Sequence, residues 1–206
     1  MDVRELGQLH PHPGRQETQA EIQRLEAAAS VQWVFAPALV VGLAQTAAYA
    51  EAVFRMGRKL GAPDEPLADV VAARLARQAV LDDAGKTFHF VMGEAALRRA
   101  LVRPEAMRIQ VERIIELVER ENISIGVIPF AANEVAHHYH GFAVLGDPEV
   151  DDESRAVVPT LTKRLTIWDP AEIAEYVAHF EALRSAALEG AELLRILRGV
   201  VAELSE

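Results

Sequence analysis

The chain has 206 residues, half of them hydrophobic and a quarter charged, a composition that builds a globular core rather than a disordered chain. Its 31 acidic and 21 basic residues leave a formal net charge of −10, which argues against a nucleic-acid partner because phosphate binding needs a concentrated positive field. No cysteine occurs, which excludes disulfides and thiol chemistry, and no signal peptide or membrane-spanning run is visible, so a soluble cytoplasmic protein is expected.

Residues 1–17 mix charges, histidines and prolines and read as a tail, followed by a short helix in TQAEIQRLEAAAS (18–30). VQWVFA (31–36) reads as a strand that Pro37 ends. From Gly42 to about Leu60, Leu43, Ala47, Ala50 and Phe54 recur at helical spacing, and GAPDEP (61–66) closes that helix. A helix over 67–82 places Val70, Val71, Arg74, Gln78 and Leu81 on one face. KTFHFVMG (86–93) is a strand that turns directly into the helix EAALRRAL.

Pro104 opens the next helix, with Met107, Gln110, Val111, Ile114 and Val118 in one stripe. ISIGVIPF (123–130) is apolar on both sides of its pleat, as a central strand covered on two faces is. GFAVLG (141–146), RAVVPTL (155–161) and RLTIWD (164–169) are further strands, and DPEVDDES (147–154) is a solvated turn. Asp169-Pro170 starts a helix with Ile173, Val177, Phe180 and Leu183 facing inward, and a last helix covers roughly 190–204. These elements predict an α/β or α+β fold: a single domain over 30–206 with one mixed sheet of five or six short strands flanked by helices, preceded by a tail and short helix over 1–29.

The chemistry-bearing segment is EVAHHYHGF (134–142). In an extended strand His138 and His140 point to the same side, so with Glu134 they offer metal-ligand chemistry. Nothing else supplies another ligand at a recognisable spacing, so no metal is assigned. The same histidines suit proton transfer near neutrality, with Tyr139 or Glu94 as counterpart. Glu94 sits where a strand hands over to a helix, a position that favours a carboxylate for capping reasons alone. Plain ligand-contact or loop histidines are the blander alternative. Arg74, Gln78 and Gln110 lie on otherwise apolar helix faces and must either pair internally or face a cavity. Nucleotide loops, a nucleophile elbow and H-E-x-x-H are all missing, so no cofactor is expected.

LVVGLAQTAAYAEAVFR (39–55), RLARQAVL (74–81), GEAALRRAL (93–101), MRIQVERIIEL (107–117), ISIGVIPF (123–130), FAVL (142–145) and FEALRSAAL (180–188) follow one another in order. The series resembles domain of unknown function 5753, the Scr1-like domain that follows a helix-turn-helix in many actinobacterial XRE-type regulators. The resemblance spans about residues 30–200. Gly42, Leu43, Gln45, Thr46, Tyr49, Ala50, Arg74, Arg77, Gln78, Glu94, Leu97 and Gln110 match the family's pattern. Val41 replaces the usual proline, HHYH stands where relatives have Gly, one His and small residues, and Glu192 and Leu193 lie near the place of an absent serine.

The resemblance implies a small-molecule-binding domain with an apolar ligand, held near Gln45, Tyr49, Arg74, Gln78 and Glu94, with Gln110 and Phe142 close by. Only about 30 residues precede the domain, too few for a three-helix DNA-binding head, so no direct DNA contact is expected. Three readings follow. The first is a stand-alone binding domain. The second is a cofactor-independent enzyme of secondary metabolism, a cyclase, isomerase or dehydratase, using His138 or His140 with Glu94 or Tyr139 in that pocket. The third is an antagonist that pairs with a full-length regulator through the shared domain, a pairing that homodimerisation of such domains makes plausible.

Overall fold

Seven strands form one mixed sheet: β1 (Gln8–Pro11), β2 (Val31–Ala36), β3 (Thr87–Gly93), β4 (Ile123–Ile128), β5 (Phe142–Leu145), β6 (Arg155–Pro159) and β7 (Lys163–Ile167). They lie in the order β1-β7-β6-β5-β2-β3-β4. The computed structural model describes residues 8–11, 15–58, 66–132, 139–160 and 163–205, with side chains described from residue 20 onward. Strands β2, β3 and β4 are parallel, and every other pairing is antiparallel. Parallel strands need long crossovers. Those crossovers carry α2 (Ala47–Arg58) and α3 (Leu67–Ala76) between β2 and β3, then α4 (Ala95–Arg98) and α5 (Pro104–Val118) between β3 and β4. Helix α1 (Arg15–Ala28) precedes β2, while α6 (Pro170–Arg184) and α7 (Gly190–Glu203) end the chain.

The parallel half explains the doubly apolar strands. On one face Phe88, Phe90 and Met92 of β3 and Ile123, Ile125 and Val127 of β4 pack with Met107, Val111 and Ile114 of α5 and Leu193 and Leu197 of α7. On the other face Phe35, Val91, Phe142, Val144 and Val158 pack against Ile173, Phe180 and Leu183 of α6. Each such fully buried side chain contributes about 2 kcal/mol of transfer free energy. Asp169 caps α6, its carboxylate accepting from the Ala171 and Glu172 N–H groups at 2.9 and 3.1 Å, and Pro170 fills the first turn where no N–H is needed. Among the described residues, no helix is long and apolar enough to cross a membrane.

The single mixed sheet flanked by helices is as expected, with seven strands among the described residues where five or six were expected. The added strand, β1, lies in the stretch read as a tail and pairs with β7, from Gln8 opposite Thr166 to Pro11 opposite Lys163. Helix α1 starts at Arg15 rather than Thr18 and packs against α3. The helix read from Gly42 begins at Ala47, behind a 3-10 turn over Gly42–Ala44. The helix read over 67–82 tightens to 3-10 geometry over Arg77–Asp82, and EAALRRAL keeps only the four-residue α4.

Candidate functional site

The floor of a cavity beneath α1 and α3 follows from strand alternation. Residues two apart share a face, and the register aligns Val34 with Ala143, Ala143 with Val157, and Pro159 with Arg164. One face of β2, β5, β6 and β7 therefore presents Gln32, Val34, Ala36, Ala143, Leu145, Val157, Pro159 and Arg164. Above it lie Ile22 and Glu26 of α1, Arg74 of α3, Arg77 and the loop 37–45, enclosing a cavity of about 480 Å³. Small floor residues leave this half of the sheet hollow, where the parallel half is filled by α5 and α7.

The loop 37–46 forms one wall, and two features fix it. Gly93 lets it cross the end of β3: a Cβ there would lie 2.3 Å from the Pro37 carbonyl oxygen. Side-chain amides then hold its backbone. The Gln45 Nε2 donates to the Val40 carbonyl at 2.7 Å, Gln78 Nε2 donates to the Gln45 carbonyl at 2.6 Å, and the Val40 N–H donates to the Tyr49 hydroxyl at 3.1 Å. Gln110, fully buried, donates to the Ala44 carbonyl and accepts from the Thr46 N–H, both at 2.7 Å. Each of these bonds contributes about 1 kcal/mol net, and leaving such a buried group unpaired costs more.

The expected ligand-binding residues thus divide. Gln45 and Arg74 line the cavity, linked by Arg74 Nη1 donating to Gln45 Oε1 at 2.8 Å. The Arg74 guanidinium also stacks on Phe54, 4.7 Å from its ring centre. Burial, then Arg77, lower its pKa to about 9, with Glu26 opposing them. Gly42 permits the close approach, since a Cβ there would meet Arg74 Nη1 at 3.1 Å. Tyr49, Gln78 and Gln110 do not line the cavity; they hold its wall in place from behind. The Tyr49 hydroxyl is pushed above its ordinary pKa by burial, with the Val40 N–H pulling the other way. Phe142 borders the cavity, but its ring packs on Phe35, Tyr176 and His179 beneath the sheet.

Of the described acid–base residues, Glu94 stands apart from Tyr139 and His140, which share a recess. Glu94 accepts from the Phe130 N–H at 2.8 Å and pairs with Arg98 at 2.5 Å, tying the ends of β3 and β4. Burial raises the Glu94 carboxyl, but the Phe130 N–H and Arg98 outweigh it and leave its pKa below the ordinary value, so it is an ionised brace rather than a proton donor. His140 and the exposed Tyr139 border a separate recess of about 260 Å³ with Phe142, Glu175, Tyr176 and His179, beside α6. His138 and the neighbouring Glu134 and His137 lie outside the described residues. No group of three metal-ligating side chains occurs among the described residues.

Five polar residues of the cavity, Glu26, Gln32, Arg77, Lys163 and Arg164, are not among the site residues that the sequence points to. Glu26 makes a buried two-point ion pair with Arg77, at 2.9 Å from Nε and 2.5 Å from Nη2. Gln32 donates to the Glu26 carbonyl at 3.2 Å, and its Oε1 is buried with no hydrogen-bond partner among the described residues. The Arg164 Nη2 donates to Glu21 at 2.6 Å, and its Nε is likewise buried without a partner. The available signal was strand alternation, which puts Gln32 level with Val34 on a face that is otherwise apolar.

The architecture is an α+β domain whose antiparallel half-sheet is hollow and lined largely by apolar residues. Residues 19–199 match the family described as domain of unknown function (DUF5753), and the chain belongs to that family. No curated protein is detectably similar to the sequence. Among solved structures, TrmBL2, described as an archaeal chromatin protein with a novel mode of DNA binding, aligns with a TM-score of 0.43 at 10% identity. That alignment covers 91% of this chain and 56% of the other, so this chain spans little more than half the length of that protein.

Proposed function

We propose that this chain is a small-molecule-binding domain that takes an apolar ligand into the cavity between α1, α3 and the antiparallel half of the sheet, without contacting DNA directly. The observation that carries this reading is the cavity of about 480 Å³. Protein interiors pack as densely as organic crystals, and a hollow of this size falls within the range of ligand pockets. Apolar residues make up most of its wall, and the hydrogen bonds from Gln45, Tyr49, Gln78 and Gln110 pre-form it in the absence of ligand. The formal charge of −10 supports a partner other than nucleic acid.

Catalysis in this cavity has weaker footing, because Glu94, Tyr139 and His140 all lie away from it. Native mass spectrometry with candidate metabolites, following bound and free species, tests the reading. A compound retained unchanged by the wild-type chain supports it. A compound consumed at substoichiometric protein replaces it with the enzymatic reading, and the recess of His140, Tyr176 and His179 then becomes the place to mutate.

A further inference from the structure

The two orphaned polar atoms of the cavity stand at opposite corners of its floor. Among the described residues, Gln32, 1% exposed, has an acceptor there with no hydrogen-bond partner, and Arg164, with a side chain 11% exposed, has a donor with none. Buried polar atoms in native folds find partners, so both await one. β2 and β7 are three strand steps apart, and Arg164 is level with Ala36, four residues along β2 from Gln32. The two Cα atoms are thus separated by about 14 Å across the sheet and about 13 Å along it. Between them the floor is Val34, Ala143 and Val157.

Charge distinguishes the two ends. The described cavity wall carries Arg74, Arg77, Lys163 and Arg164 against one carboxylate, Glu26, in a chain that is acidic overall. Arg77 answers Glu26, and Glu21 takes only the Nη2 edge of Arg164. Lys163 and Pro159 are the exposed members of the described wall, so the Arg164 corner lies nearest solvent. An anion held there keeps part of its hydration, which lowers the cost of burial. Gln32 lies at the deep end and offers its Oε1 as an acceptor.

We propose that the occupant is an elongated amphipathic acid, with its oxyanion on Arg164, its apolar body along Val34, Ala143 and Val157, and a hydroxyl donating to Gln32 Oε1. The proposal rests on the binding reading above and names its ligand class. Allowing for the reach of both side chains, the span suits a chain of about a dozen carbons.

Calorimetric titration of the intact chain with ω-hydroxydodecanoate, dodecanoate and dodecanol tests it. The hydroxy acid is expected to bind about fivefold more tightly than dodecanoate, the worth of one neutral hydrogen bond. Dodecanoate is expected to bind about tenfold more tightly than dodecanol, because a charge-assisted bond is stronger. Gln32→Met should abolish the first difference and spare dodecanoate binding, and Arg164→Gln should abolish the second. Equal affinity of the wild-type chain for all three probes overturns the proposal and leaves an apolar binding cavity standing. Binding of none of them, or binding that persists unchanged in Ala143→Phe, overturns the cavity reading as well. The wild-type series decides the proposal even where a variant fails to fold.

Discussion

The Arg77 guanidinium grips both carboxylate oxygens of Glu26 inside the protein, with side chains 6% and 7% exposed. The pair joins α1 to the 3-10 segment after α3 across 51 residues of sequence, and both partners line the cavity. Removing one partner of a buried pair strands the other charge. Glu26→Ala is therefore expected to destabilise the fold by about 3 kcal/mol, read as a lower urea midpoint. Arg77→Met combined with Glu26→Leu should recover much of that loss; a double variant as unstable as the two single losses added together contradicts the coupling.

Gln110 holds the start of α2 from a different helix, with its amide on the Ala44 carbonyl and the Thr46 N–H. Gln110→Leu leaves both backbone groups buried and unpaired, a loss of about 2–3 kcal/mol in thermal denaturation. Because the loop is a cavity wall, ligand affinity should fall as well. Tyr49→Phe, which removes only the acceptor of the Val40 N–H, should cost about 1 kcal/mol.

Gly93 faces a backbone oxygen rather than a flexible side chain, with 2.3 Å between its would-be Cβ and the Pro37 carbonyl. Gly93→Ala must push the β2–α2 loop off the end of β3. Overpacking of this kind costs about 3 kcal/mol, and the variant should show it as a lowered melting temperature. A melting temperature equal to that of the wild type contradicts the stated loop path.

Glu94 has a folded pKa below its ordinary value near 4.5 because, against its burial, the Phe130 N–H and Arg98 favour the carboxylate. Its contribution is therefore present above the unfolded-state value and is lost as pH falls through the folded one. Glu94→Gln should be less stable than the wild type at pH 7, by about 1 kcal/mol, and the difference should shrink as the pH falls through the lowered folded-state pKa of Glu94. A difference that persists unchanged into acid contradicts the brace assigned to Glu94.

What the sequence disclosed and what it withheld have a physical division. β2, β3 and β4 are predominantly apolar runs, and the stripe of Met107, Val111 and Ile114 on α5 repeats at helical spacing, so local pattern alone places them. β1 is four residues, QLHP, with no alternation to read, and it is a strand because β7 offers it an edge. Gln45 is reached only through the family resemblance, whereas Arg74 is legible as a polar group on an apolar helix face. Gln78 and Gln110 carry the same signature but satisfy backbone groups instead, and periodicity does not separate the two roles. Glu26 sits on a short helix and Arg164 at the start of a strand, with nothing local to mark either as a cavity residue, and only the topology brings Arg164 to Glu21, 143 residues away.

The central claim is that the hollow above Val34, Ala143 and Val157 is a ligand site. Carbon-detected methyl NMR of the wild-type chain titrated with ω-hydroxydodecanoate tests it most directly. The account predicts saturable shifts at Val34, Ala143 and Val157, and quiet methyls at Val111, Ile114 and Leu197 in the packed half. Shifts confined to the surface, or centred on the recess beside His140 and Tyr176, would contradict it.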